Sequence, residues 1–80
     1  MPARALASLT TATGAFAQLS ATSVGEKRIT LTIIANTLFK ANDAVETTLT
    51  PGQYVVMDDP ANLYFKAITT ASTVHAFIQN

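Results

Sequence analysis

The sequence predicts an all-β domain: a small antiparallel β-sandwich or barrel of six to seven short strands with an extended N-terminal arm. Three observations point there. Ile29, Leu31 and Ile33 alternate with Thr30 and Thr32. That period of two sets large apolar side chains on one face of a strand and hydroxyls on the other. Ile, Val and Thr, whose branched Cβ suits a pleated half-buried surface, crowd the apolar stretches. Turn signals recur about every eight to twelve residues, the spacing of a sandwich or barrel.

Taken in order, residues 1–24 form an Ala/Thr-rich stretch read as an arm or first strand, and residues 25–80 form the antiparallel β-domain. Ala15, Phe16 and Ala17 have the small-x-small form of a signal cleavage site, but Ser8, Thr10, Thr11 and Thr13 interrupt any apolar core, so a secretion signal is not expected. Ala and Leu would allow a helix over residues 3–9, yet Gly14 and the Thr-rich continuation favour extended chain. Such an arm lacks the apolar content to hold itself down, and it is expected to reach onto neighbouring subunits. Residues 20–27 read as a loop around Gly25.

The central strand covers residues 28–35, and Asn36 breaks it from a short piece at 37–40. Asn42 and Asp43 mark a turn. Residues 45–50 alternate as a strand with one wet face. Thr50, Pro51, Gly52 and Gln53 suit a type II turn, with glycine supplying positive φ at the third position. The strands on either side, 45–50 and 53–58, are therefore expected to be antiparallel neighbours. Residues 54–57 are apolar on both faces. A turn at 58–62 leads to a strand at 63–69 with Leu63, Phe65 and Ala67 on one side. The last strand, 73–79, puts Val74, Ala76 and Ile78 on one face and His75 and Phe77 on the other.

A chain of 80 residues is one domain, and it buries only about 60% of its unfolded surface. Disulfides, a metal or oligomerisation usually support so small a core. There is no cysteine and one histidine, so thiolate and His-cluster metal sites are not available. Only 12% of residues are charged and the net charge is zero, against about 25% charged in an ordinary soluble domain. Either Thr, Ser, Asn and Gln form the wet surface, or neighbours cover much of it. Arg4, Lys27, Arg28, Lys40 and Lys66 are scattered, so nucleic acid is not an expected partner. No apolar run approaches the roughly 20 residues of a membrane helix.

Catalytic chemistry finds little to use. His75 is the single imidazole base candidate, and it lies in a strand pattern beside Phe77. Asp58 and Asp59, with Asn62 and Asp43, match no calcium-loop spacing. Gly14, Gly25 and Gly52 are too far apart for a phosphate loop. The expectation is a non-enzyme without cofactor. Tyr54, Tyr64, Phe65 and Phe77 could form a sugar platform, but their strand context favours core or interface packing. The interface residues expected are Leu6, Leu9, Phe16, Tyr54, Val56, Tyr64, His75 and Phe77.

Three segments resemble strand–turn–strand pieces of small virion proteins of tailed bacteriophages, in particular head-decoration (capsid cement) proteins. They are residues 28–36 (RITLTIIAN), 49–55 (LTPGQYV) and 73–79 (TVHAFIQ). The resemblance implies a non-enzymatic protein at the virion's capsid surface, binding capsid or other virion proteins, often as a symmetric homo-oligomer. It carries over no site residue. The alternatives are a host-surface or carbohydrate-binding β-module, and a connector, tail or fibre component of the virion.

Overall fold

A computed structural model describes residues 4–42 and 45–79. Among the described residues eight strands follow one another: β1 Arg4–Thr10, β2 Ala17–Gln18, β3 Lys27–Ile33, β4 Thr37–Ala41, β5 Thr47–Leu49, β6 Gly52–Asp58, β7 Leu63–Ala67 and β8 Thr73–Gln79. They form two four-stranded sheets, ordered β1-β8-β3-β6 and β2-β7-β4-β5, with every pairing antiparallel. The chain is therefore all-β as expected, and of the two architectures left open, sandwich or barrel, it adopts the sandwich. The strand beyond the expected seven is β2, whose two residues are too few to show an alternation.

The core lies between the sheets. Ile29, Leu31 and Ile33 from β3 meet Val74 and Ala76 from β8, and Leu63 and Phe65 from β7 close over them. Ile29, Leu31, Leu63, Phe65 and Val74 are fully buried. Phe39 stacks on Phe65 across the β4–β7 pair, centroids 5.2 Å apart and planes tilted by 34°. Thr37 is buried as well, and it satisfies its hydroxyl by donating to the Ala35 carbonyl at 2.7 Å.

Most connections cross between sheets. Only β4 and β5 are consecutive strands in one sheet. This corrects the expected pairing of the strands flanking Pro51: β5 pairs with β4, and β6 pairs with β3 in the opposite sheet. A Pro-Gly turn reverses the chain locally but does not choose the hydrogen-bonding partner. Gly52 has the positive φ expected, but at 149° it lies outside the type II range near 80°. It already opens β6, opposite Ile33.

Tyr54 braces this corner. Its hydroxyl donates to the Thr50 carbonyl at 2.9 Å and accepts from the Thr50 N–H at 3.0 Å. A phenol bonded back to the backbone a few residues upstream is the geometry of a tyrosine corner. Tyr54→Phe should therefore lose about 1 kcal/mol of stability by urea titration. Unchanged stability would show that water replaces the hydroxyl's partners at no loss.

The N-terminal segment is strand and not arm. β1 pairs with β8 from Arg4↔Ile78 to Thr10↔Thr73, with an irregularity between Ala5 and Ala7. Just beyond it, buried Thr11 donates its backbone N–H to the Ser72 carbonyl at 2.8 Å and accepts from the Ser72 N–H on its hydroxyl at 3.2 Å. β2 then adds to the edge of the other sheet beside β7. Residues 4–18 thus complete both sheets of their own chain, which removes the reason to send them to a neighbour.

Candidate interaction surface

The outer face of each sheet carries the side chains that the core does not take up. On the first sheet, the odd residues of β3 and the even residues of β6 and β8 point inward, because Ile29 pairs with Val56 and Ile78, and Leu31 with Tyr54 and Ala76. The outward set is then Gln53, Val55 and Met57 on β6, Arg28, Thr30 and Thr32 on β3, Thr73, His75 and Phe77 on β8, and Ser8 and Thr10 on β1. Val55 is 55%, Met57 59% and Phe77 38% exposed. Val55, Thr30 and Phe77 form one row across three strands. Arg28 is the single charged member of this outward set.

His75 lies on that face opposite Thr32, and its Nδ1 is 3.1 Å from the Ser8 hydroxyl across the β1–β8 pair. The arrangement holds an imidazole against a serine, but the hydrogen bonds of the described residues place no carboxylate on the imidazole to orient it. It reads as a cross-strand hydrogen bond on a sheet surface.

The second sheet presents a different surface. Lys40 and Tyr64 are directly opposite on β4 and β7, and Lys66 lies diagonally from Lys40. Phe16, just before β2, covers them: the Lys40 Nζ is 4.6 Å and the Lys66 Nζ 5.7 Å from its ring centroid. The Lys40 Nζ is also 5.8 Å from the Tyr64 ring. Aromatic faces attract ammonium groups, so two lysines are held together in a half-buried patch.

The expected interface residues divide accordingly. His75 and Phe77 fall on the first sheet's outer face, and Phe16 and Tyr64 on the second's. Leu9, Tyr54 and Val56 pack against the core instead. This corrects their reading as outward side chains: the β3–β6 register turns Tyr54 and Val56 in and exposes Val55 and Met57. All four are apolar or aromatic, so no alternation in the sequence marks which pair is outside. The side chain of Leu6 lies outside the described residues. Lys40 and Lys66 carry no sequence signal, since Phe16 meets them only in the fold.

Asp58 and Asp59 form a structural turn. Asp59 caps the short 3-10 helix Pro60–Asn62, accepting from the Ala61 N–H at 3.0 Å, and proline occupies the first turn where no N–H is needed. The same carboxylate accepts from the Ser23 hydroxyl, from the Gly25 N–H at 3.0 Å and from the Val24 N–H at 3.4 Å. Gly25 has φ of 83°, a left-handed conformation that suits glycine. Asp58 accepts from the Asn62 amide at 3.0 Å. Asp43, the remaining member of the candidate carboxylate set, lies outside the described residues, among which no group of three or more His, Cys, Asp or Glu converges as a metal site.

These donors have an electrostatic consequence. The Ser23 hydroxyl first, then the Ala61 N–H, hold the Asp59 carboxyl below its ordinary value of 3.8, with Gly25 and Val24 adding to the effect and desolvation opposing it. The folded value lies below the unfolded one. The stabilisation is therefore complete above the unfolded value, about pH 4, and is lost as pH falls through the folded value. Thermal melts from pH 7 to pH 2 should show the wild-type midpoint falling more steeply in acid than that of Asp59→Asn. Parallel curves would remove Asp59 from the acid response.

No helix of the described residues is long and apolar enough to cross a membrane. No family model, curated protein or solved structure matches the chain.

Proposed function

We propose that this chain is a non-enzymatic structural protein of a phage virion that binds and stabilises the capsid surface. The assignment to a virion rests on the resemblance of residues 28–36, 49–55 and 73–79 to decoration proteins. The observation that carries an attachment role is the outer face of the first sheet. Val55, Met57 and Phe77 stand exposed there among threonines, with Arg28 as the one charge of the outward set. Burying such a face against a protein partner yields roughly 25 cal/mol per Å² of apolar area, and hydroxyls can take the rim hydrogen bonds. Attachment runs through the β-domain and not through an N-terminal arm, because β1 belongs to the chain's own sheet.

The test is location. A label on this chain, imaged on intact particles at low resolution, should decorate the capsid shell. Label at the neck, tail or fibres would reassign it to a connector, tail or fibre component, and no label on particles would end the virion reading.

A second reading has its own observation. Phe16 and Tyr64, with Lys40 against both rings and Lys66 against Phe16, form a patch of aromatic faces and polar groups of the kind a sugar could stack on. A glycan screen should then give binding that Tyr64→Ala abolishes. A silent screen would count against it.

A further inference from the structure

We propose that β6 pairs antiparallel with β6 of a second copy, joining the first sheets of two chains into one continuous sheet.

A sandwich of two four-stranded sheets has four edges, here β1, β6, β2 and β5. An edge strand presents unpaired N–H and C=O groups, and proteins blunt such edges by shortness, bulges, proline or lysine. Three of the four edges are blunted. β2 has two residues and β5 three. β1 carries an irregularity between Ala5 and Ala7, which twists an edge away from a partner.

β6 is not blunted. It runs seven residues, Gly52–Asp58, with continuous register against β3 from Lys27↔Asp58 to Ile33↔Gly52. It contains no proline and no lysine, and its one charge, Asp58, is at its end. Among the described residues its backbone hydrogen bonds are those of the β3 ladder alone. Alternate residues therefore aim both backbone groups away from the sheet.

The sequence of β6 fits itself. In the two-fold register centred on Val55, Val55 faces Val55 of the partner subunit, Tyr54 faces the partner's Val56, and Gln53 faces the partner's Met57. Asp58 meets the partner's Gly52, so no like charges oppose. Residue numbers in every pair sum to 110, an even number, so residues whose groups point outward meet residues of the same kind. Two-fold pairing of this type closes on itself and ends at a dimer. It also brings Val55 and Met57 of both copies onto one enlarged outer face, with the row of Val55, Thr30 and Phe77 doubled in length.

The chain has no cysteine, so one introduced thiol reports its own neighbour. Val55→Cys should oxidise to a disulfide-linked dimer under mild conditions, because directly opposite residues place their Cα atoms about 4.5–5.5 Å apart, within the span a disulfide bridges. Gln53→Cys, which faces the partner's Met57, should cross-link at least tenfold more slowly. Sedimentation should show wild type as a dimer at micromolar concentration. Val55→Lys, which opposes two ammonium groups at the centre, should sediment as a monomer with an unchanged β-sheet circular dichroism spectrum. Ile68→Lys, at an exposed site away from β6, should remain a dimer. A monomeric wild type, a dimeric Val55→Lys, or equal cross-linking of the two thiols would overturn the proposal. None of these outcomes bears on particle location, so the capsid reading stands or falls separately.

Discussion

Phe65→Ala should be the most destabilising single substitution in the domain. Phe65 is fully buried on β7, stacked on Phe39 and packed against β3 and β8. Truncating a buried phenylalanine costs about 3–5 kcal/mol through lost transfer energy and the cavity left behind. An 80-residue domain has a total of about 4–12 kcal/mol. The loss is therefore about a quarter or more of what holds the fold. Its site cannot collapse easily, because the sheets on either side are tied by antiparallel ladders. Urea unfolding should show a large drop in midpoint with the slope preserved. A loss under about 1 kcal/mol would mean that the sheets close over the gap and that Phe65 is not the keystone of this core.

Leu31→Ala is the second large effect, at about 2–5 kcal/mol. Leu31 sits mid-strand on β3, which is flanked on both sides, by β6 and β8. Its cross-strand neighbours, Tyr54 and Ala76, also face the core. The informative companion is Val55→Ala, on the opposite face of the adjacent strand. In the isolated monomer that change should fall within about 0.5 kcal/mol. The contrast between Leu31 and Val55 tests the inside–outside assignment of the first sheet, on which the attachment surface depends. Equal losses at the two positions would show that the outer face is packed as well.

Much of the fold is written in local pattern. The alternation of Ile29, Leu31 and Ile33 identifies the central core strand, and all three are buried. The two faces of β8 read off correctly, because Val74, Ala76 and Ile78 alternate with polar or aromatic residues. Asp59 followed by Pro60 announces a turn through its own capping chemistry. These features depend on side chains within a few residues of one another, so a linear reading can reach them.

The candidate surface was legible only in part. Phe77 and His75 follow from the β8 alternation. Val55 and Met57 do not, because every residue from 54 to 57 is apolar or aromatic, and the pairing Leu31↔Tyr54 decides which side faces out. The cluster of Lys40, Lys66, Phe16 and Tyr64 joins residues up to 50 positions apart in the chain, and no local spacing encodes it.

The sequence by itself determined that this chain is an antiparallel all-β domain with a core around β3, since period-two burial and turn chemistry are local properties; that it is a sandwich and not a barrel came from the structure. The tertiary structure alone decided which strands are neighbours and which edges stay open. A turn sends the chain back without selecting its partner, and here nearly every turn crosses to the opposite sheet. Strand pairing is a contest among distant backbone groups that all offer the same hydrogen bonds. It is settled by which arrangement buries both apolar faces at once, and that is a property of the assembled chain.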